Sequence, residues 1–274
     1  MRELDIKETQ KISLEILKTV ADICEEKGFR YCLIYGTLIG AIRHSGYIPW
    51  DDDVDIMMPR KDYEEFLKYF GEHISDHPHL EIFNPTTCEK YPYMITRISD
   101  NRYSIDMANE KPYGMGVFID IYPYDGLGNT SEEALKFGMK GDRLSSLCYQ
   151  ATRQRYAVET TTSALRKVLK LPVFLFSKLC GKNVFQRKLA KLAGQKAYDD
   201  CEYVGCVVWL SGGEKDIFER RMFDECIMHP YEKYEFRVPK EYDAILRHTY
   251  GDYMQLPPEK DRVGHHNYKV YEKK

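Results

Sequence analysis

Residues 49–56 of this chain, Pro49-Trp50-Asp51-Asp52-Asp53-Val54-Asp55-Ile56, concentrate carboxylates between apolar residues. Val54 and Ile56 alternate with Asp53 and Asp55. Side chains two apart on a strand share a face, so the spacing predicts a strand that projects both carboxylates one way and buries the apolar pair. Like charges about 4 Å apart repel by roughly 1 kcal/mol in water and about 4 kcal/mol at an intermediate dielectric, so the cluster calls for a cation. Bound Mg²⁺ or Mn²⁺ would remove that penalty, and the chemistry it points to is metal-dependent phosphoryl transfer. An EF-hand calcium loop is excluded: counting from Asp51, Ile56 stands where the sharp turn needs glycine, and Asp62 where a bidentate glutamate belongs.

A third carboxylate is expected from a neighbouring strand, and Phe118-Ile119-Asp120-Ile121-Tyr122-Pro123 offers Asp120 inside a run otherwise fit for burial. Asp53, Asp55 and Asp120 are therefore the candidate catalytic and metal-ligating set, with Asp125 the more ordinary turn residue. Upstream, Gly36 and Thr37 are expected at a strand end before a short helix from Leu38. Backbone N–H groups and a threonine hydroxyl can approach phosphate oxygens there, although a glycine turn with a threonine N-cap is common in any α/β protein. Arg43 and His44 at the end of that helix, and Arg60 just after the acidic strand, are candidate cations for a diphosphate, with structural pairing to the aspartates as the alternative use.

The elements that position these residues can be read from periodicity. Ile12, Ile16, Val20 and Ile23 recur at helical spacing before Gly28, which predicts an amphipathic helix ending in a glycine cap. A strand over Tyr31–Ile34 leads into the glycine turn, and a helix begins near Asp62 and ends near Gly71. Strands are expected over 80–83, 94–98, 103–107 and 116–122. Helical patterns dominate from Ser131 to about Tyr198, and residues 223–268 read as an irregular, aromatic-rich segment laid over the body. The fold class is α+β, divided into a core over 1–130, a helical subdomain over 131–200 and a C-terminal segment over 201–274.

A net charge of −3 over 274 residues excludes the basic footprint of a nucleic-acid binder. Eight cysteines without a C-x-x-C pair, and the polar start Met1-Arg2-Glu3-Leu4-Asp5, lead to the expectation of a reduced, cytoplasmic protein. The most apolar stretch, Val168–Cys180, is broken by Lys170, Pro172 and Lys178 and does not reach the length of a membrane span. Its lysines, with Lys167, would suit an anionic membrane surface, but the expected use of this segment is a helix packed into the core.

Gly36-Thr37-Leu38-Ile39-Gly40-Ala41-Ile42-Arg43-His44-Ser45-Gly46-Tyr47-Ile48-Pro49-Trp50-Asp51-Asp52-Asp53-Val54-Asp55 resembles the LicD family signature G-T-L-L-G-A-x-R-H-x-G-F-I-P-W-D-D-D-x-D. The run around Asp120, and the tail Tyr250-Gly251-Asp252-Tyr253 through Pro257-Pro258 with His265 and His266, look like that family's later motifs. The resemblance implies a nucleotidyltransferase-like mixed sheet flanked by helices. It also implies transfer of a phospho-alcohol, such as phosphocholine from CDP-choline, to a hydroxyl of a surface glycan or teichoic acid precursor. Relatives in the fukutin group transfer ribitol phosphate, so the fold leaves the alcohol open.

On this reading the partners are a CDP-alcohol donor and a glycan acceptor that can be lipid-linked, at the inner face of the cell membrane. The donor contacts fall on Gly36, Thr37, Arg43, His44, Trp50, Arg60, His265 and His266. The two adjacent histidines point opposite ways on an extended segment, so one contacts phosphate while the other packs. Trp50 with Tyr47, Tyr122 and Tyr253 offers aromatic faces for a trimethylammonium head. Two competing functions are a nucleotidyltransferase that moves NMP from an NTP, and a non-catalytic nucleotide- or glycan-binding module. The concentrated carboxylates argue against the second.

Overall fold

A computed structural model describes residues 1–107, 109–110, 113–156, 164–210, 212–264 and 268–273, with the backbone alone at 164–167. A short strand β1 (Arg2–Glu3) precedes helix α1 (Ile6–Lys27). A capping box starts the helix: the Glu8 N–H donates to the Asp5 carboxylate, and the Asp5 N–H donates to the Glu8 carboxylate. Gly28 ends it in the left-handed region at φ +75°. The buried stripe is Leu14, Ile16, Leu17, Val20, Ala21 and Cys24, while Ile12 and Ile23 lie on its half-buried margins.

The chain continues through β2 (Cys32–Leu33), α2 (Tyr35–His44), β3 (Asp55–Pro59), α3 (Arg60–Glu72), β4 (Leu80–Phe83), β5 (Thr96–Asp100), β6 (Tyr103–Met107) and β7 (Val117–Gly128). A helical stretch follows, α4 (Ser131–Thr152), α5 (Ala164–Cys180) and α6 (Lys182–Leu192). The remainder is β8 (Tyr203–Gly205), β9 (Phe218–Glu219), the hairpin β10 (Cys226–Tyr231) and β11 (Tyr234–Pro239), α7 (Tyr242–Tyr250) and β12 (Tyr268–Glu272). The main sheet has the order β2-β3-β7-β5-β4, with β8 and β9 joined along the later half of β7. Only β3 and β7 run parallel in it; the other pairings are antiparallel. With α1, α3 and α4 packed on this mixed sheet, the architecture is α+β and nucleotidyltransferase-like.

β7 is the spine of the molecule: all twelve of its residues are buried. It runs straight through Pro123, where the sequence suggested an end. The reason is local, because β5 pairs only with Val117–Ile121, so at Pro123 a ladder neighbour stands on the β3 side alone and the missing N–H deprives no second strand. The tail likewise holds more regular structure than its scattered prolines suggested. Pro230 and Pro239 sit in a two-stranded hairpin, and β12 pairs with both β1 and β6, joining the two ends of the chain.

The largest departure concerns α5. Instead of packing into the core, it leaves Val168, Leu169, Leu175, Phe176 and Leu179 more than half exposed. The side chain of Lys167 lies outside the described residues. Among those residues, no helix is long and apolar enough to cross a membrane. All eight cysteines are free, most of them buried.

Candidate active site

The parallel pairing of β3 and β7 sets Asp55 opposite Asp120 in register. The Asp120 N–H donates to the Val54 carbonyl at 2.8 Å. Asp53 is not on this strand, because β3 begins at Asp55. The chain before it is held in a turn: the Asp51 N–H donates to the Ile48 carbonyl (2.9 Å), Gln10 Nε2 to the Asp51 carbonyl (2.8 Å), and the Tyr268 hydroxyl to the Asp52 carbonyl (2.7 Å). Strand alternation therefore does not relate Asp53 to Asp55. The turn instead gathers Asp51, Asp52 and Asp53 so that each offers a carboxylate oxygen within 4.8 Å of the others.

Asp55 carries the buried carboxylate on the strand itself. It is buried, its Oδ1 has no hydrogen-bond partner among the described residues, and its N–H donates to Thr37 Oγ1 at 2.8 Å. Loss of solvation pushes its pKa well above the usual carboxylate range. Repulsion from Asp53, Asp120 and Asp51 adds to that, and Arg97 opposes it. Burial, reinforced by the carboxylates, likewise raises the pKa of Tyr122 and Tyr268, so both stay neutral phenols beside the cluster.

Arg97 is the counter-charge that sequence reasoning missed. It stands opposite Asp120 in the β5–β7 register, with Nε 2.6 Å from Oδ1 and Nη2 3.3 Å from Oδ2. The rings of Phe118 and Tyr93 cover its guanidinium at 4.0 and 4.8 Å. A signal existed: Ile95-Thr96-Arg97-Ile98 carries a lone cation in a run built for burial, and a buried arginine needs a carboxylate.

Gly36 and Thr37 lie inside α2, which begins at Tyr35 after an Ile34 N-cap that makes no side-chain hydrogen bond. Tyr35, not the glycine, takes the left-handed conformation (φ +52°). Gly36 matters for space: a Cβ there would fall 2.8 Å from Asp51 Oδ2. Thr37 is no N-cap; its buried hydroxyl holds the start of β3.

Arg43 Nε donates to His44 Nε2 (2.9 Å), and its Nη1 donates to the Tyr253 carbonyl (2.6 Å). His44 is therefore an acceptor with a bare Nε2. Burial and the neighbouring guanidinium lower its pKa, so it is not the cation that the sequence suggested. Trp50 meets His44 edge-on at 6.5 Å and lies under the Arg262 guanidinium at 5.6 Å.

Arg60 is the clearest misplacement. It follows the far end of β3 from Asp55, about 16 Å away at the rise of a strand, and makes two 2.8 Å bonds to Asp125 instead of reaching the cluster. Tyr47 and Tyr253 are buried packing residues, bonded to Ser13 and Asp243. His265 and His266 lie outside the described residues. Gly264 and Tyr268 are described, and both stand against Asp52.

A buried carboxylate oxygen without a partner, amid further carboxylates, fits a divalent cation with hard oxygen ligands. Comparison with known proteins identifies the family. Residues 28–142 match the family model described as LicD/FKTN/FKRP, nucleotidyltransferase domain. The lipopolysaccharide cholinephosphotransferase LicD of Haemophilus influenzae (strain Rd KW20) is 33% identical over 273 residues, which is 99% of each chain. An uncharacterized protein of Rickettsia typhi is 28% identical over 153 residues, 47% of each chain. With a full-length relative at that identity, this chain belongs to the LicD family of phosphotransferases.

Proposed function

We propose that this chain transfers phosphocholine from CDP-choline to a hydroxyl of a cell-surface glycan or teichoic acid precursor, releasing CMP, with Mg²⁺ or Mn²⁺ as cofactor. The observation that carries the reading is the buried, unpartnered Oδ1 of Asp55 among Asp51, Asp53 and Asp120. The cholinephosphotransferase named among the relatives supports the choice of alcohol.

Asp53 and Asp55 would hold the cation, Asp51 and Asp52 would offer further oxygens, and Asp120, anchored by Arg97, would complete the set. The bound ion would supply charge neutralisation at the donor phosphates and the leaving CMP. The chain's own groups do the positioning. Thr37 fixes the backbone at Asp55, and the missing Cβ of Gly36 keeps Asp51 close to the start of α2. That helix start, with no side-chain cap, would present its positive end to the donor phosphates. Trp50 offers a face to a trimethylammonium group, which would compete there with Arg262. The acceptor in this reading is a lipid-linked glycan on the cytoplasmic side of a membrane.

Mass-spectrometric detection of CMP from a panel of CDP-alcohols (choline, ethanolamine, ribitol, glycerol) with mixed glycan acceptors tests it. CMP from CDP-choline alone, lost with EDTA and in Asp53→Asn, is the expected result. Release from another donor would replace the alcohol. Pyrophosphate from an NTP, with no CMP from any donor, would overturn the reading in favour of nucleotidyl transfer.

A further inference from the structure

Folding leaves one helix largely uncovered. In α5, Val168 is 69% exposed, Leu175 57% and Leu179 88%, and Leu171 is 40% exposed. These four recur at i, i+3, i+7 and i+11, so they share one outward face. The inner side is anchored: Ser177 is buried, Phe174 packs on Tyr156 with ring centroids 5.0 Å apart, and Lys178 Nζ donates to the Ala151 carbonyl at 3.0 Å. Leucines scattered singly on a surface need no explanation, but a continuous apolar face on one helix marks a contact.

Charge identifies the partner. From Thr160 to Tyr198 the chain carries nine Lys and Arg residues and no Asp or Glu, so the remainder of a chain that is net −3 is net −12. A helix with an apolar face, set in a purely basic segment, has the composition of one that lies in a membrane interface above anionic lipid. Symmetric packing of α5 on a second copy would bring two such basic segments together and is disfavoured. At 17 residues, α5 is about 25 Å long, and it does not qualify as a membrane span.

Its position relates it to the carboxylate cluster. α5 rests on the end of α4, where Arg153 binds Glu110 and donates to the Tyr93 hydroxyl at 3.0 Å, and Tyr93 in turn covers Arg97, the partner of Asp120. We infer that α5 docks this protein on an anionic bilayer, its Val168–Leu179 face seated among the headgroups and its basic flanks on the lipid phosphates. The inference does not depend on which group the site transfers.

The test is co-sedimentation of the full chain with vesicles containing phosphatidylglycerol or made of pure phosphatidylcholine. The variant is Leu175→Glu with Leu179→Glu, both outward and irrelevant to the core, its fold verified by circular dichroism. The wild-type chain is expected to pellet with the anionic vesicles only. The double variant is expected to lose at least about tenfold in partitioning, the scale of burying one leucine side chain. Molar salt, which shortens the screening length to about 3 Å, weakens the wild-type binding. A wild-type chain that stays in the supernatant, equal binding to neutral vesicles, or full binding by the double variant would overturn the proposal. So would a dimer-to-monomer change in the double variant without vesicles, which would make this face a self-association surface.

Discussion

Asp55 shows how much of this site is decided at single residues. Its folded pKa is raised, so the folded state holds a proton that the unfolded chain has already released. Stability from this group therefore falls as pH rises from near 4, the ordinary unfolded value, through the folded pKa, and is flat above it. In EDTA, Asp55→Asn is expected to raise the stability of the chain at neutral pH by about 1–3 kcal/mol, and to show less loss with rising pH than wild type. Calorimetry of the two proteins from pH 4 to 8 checks the sign; a less stable variant at pH 8 contradicts it. The same substitution should abolish turnover and the stabilisation by Mg²⁺. Residue types carried much of this in the sequence, since carboxylates alternating with apolar residues announce a charge problem. They did not reveal that His44 is held as an acceptor, because its partner is only one residue away and geometry alone decides which group donates.

At the scale of elements, register brings the site together. β7 places Asp120 between Asp55 on its parallel neighbour and Arg97 on its antiparallel one, so one buried aspartate faces a repelling and an attracting charge across two ladders. Removing one partner of a buried ion pair leaves the other uncompensated. Arg97→Met is thus expected to destabilise the protein by about 3–5 kcal/mol, and adding Asp120→Asn should return part of that. A double-mutant cycle by denaturant unfolding reads the coupling; additive losses would show that the pair acts independently. The short strands and the capped first helix were legible because their signals are local. The boundary of β3 was not, since the Asp51 N–H donates to the Ile48 carbonyl while Gln10 and Tyr268 donate to the Asp51 and Asp52 carbonyls, and these bonds keep residues 51–52 out of the strand that periodicity reads there.

For the whole molecule, the tail reaches back to the acidic turn. β12 is the middle strand between β1 and β6, and its Tyr268 hydroxyl holds the Asp52 carbonyl, so the last residues brace the acidic turn from across the chain. Tyr268→Phe removes that bond to Asp52 and is expected to lower stability by about 1 kcal/mol, a shift of roughly 2–4 °C in melting temperature. The activity loss should be larger than that shift suggests, because the freed turn carries the carboxylates proposed to hold the cation. An activity unchanged within twofold would show that the acidic turn holds its shape without the tail. The same scale governs α5, whose apolar pattern resembles a core helix until the body it joins is seen to cover only one side.

The sequence by itself determined the α+β class, the first helix with its glycine cap and the family, because each rests on residues close together or on a long contiguous motif. Tertiary structure alone decided that Arg97 neutralises Asp120 and that Arg60 belongs to Asp125 at the far end of the strand. It also decided that Gly36 yields space to Asp51, that the tail reaches Asp52, and that α5 stays uncovered. Pairing, close approach and burial are relations between distant segments, and a spacing along one segment cannot state which other segment will lie against it.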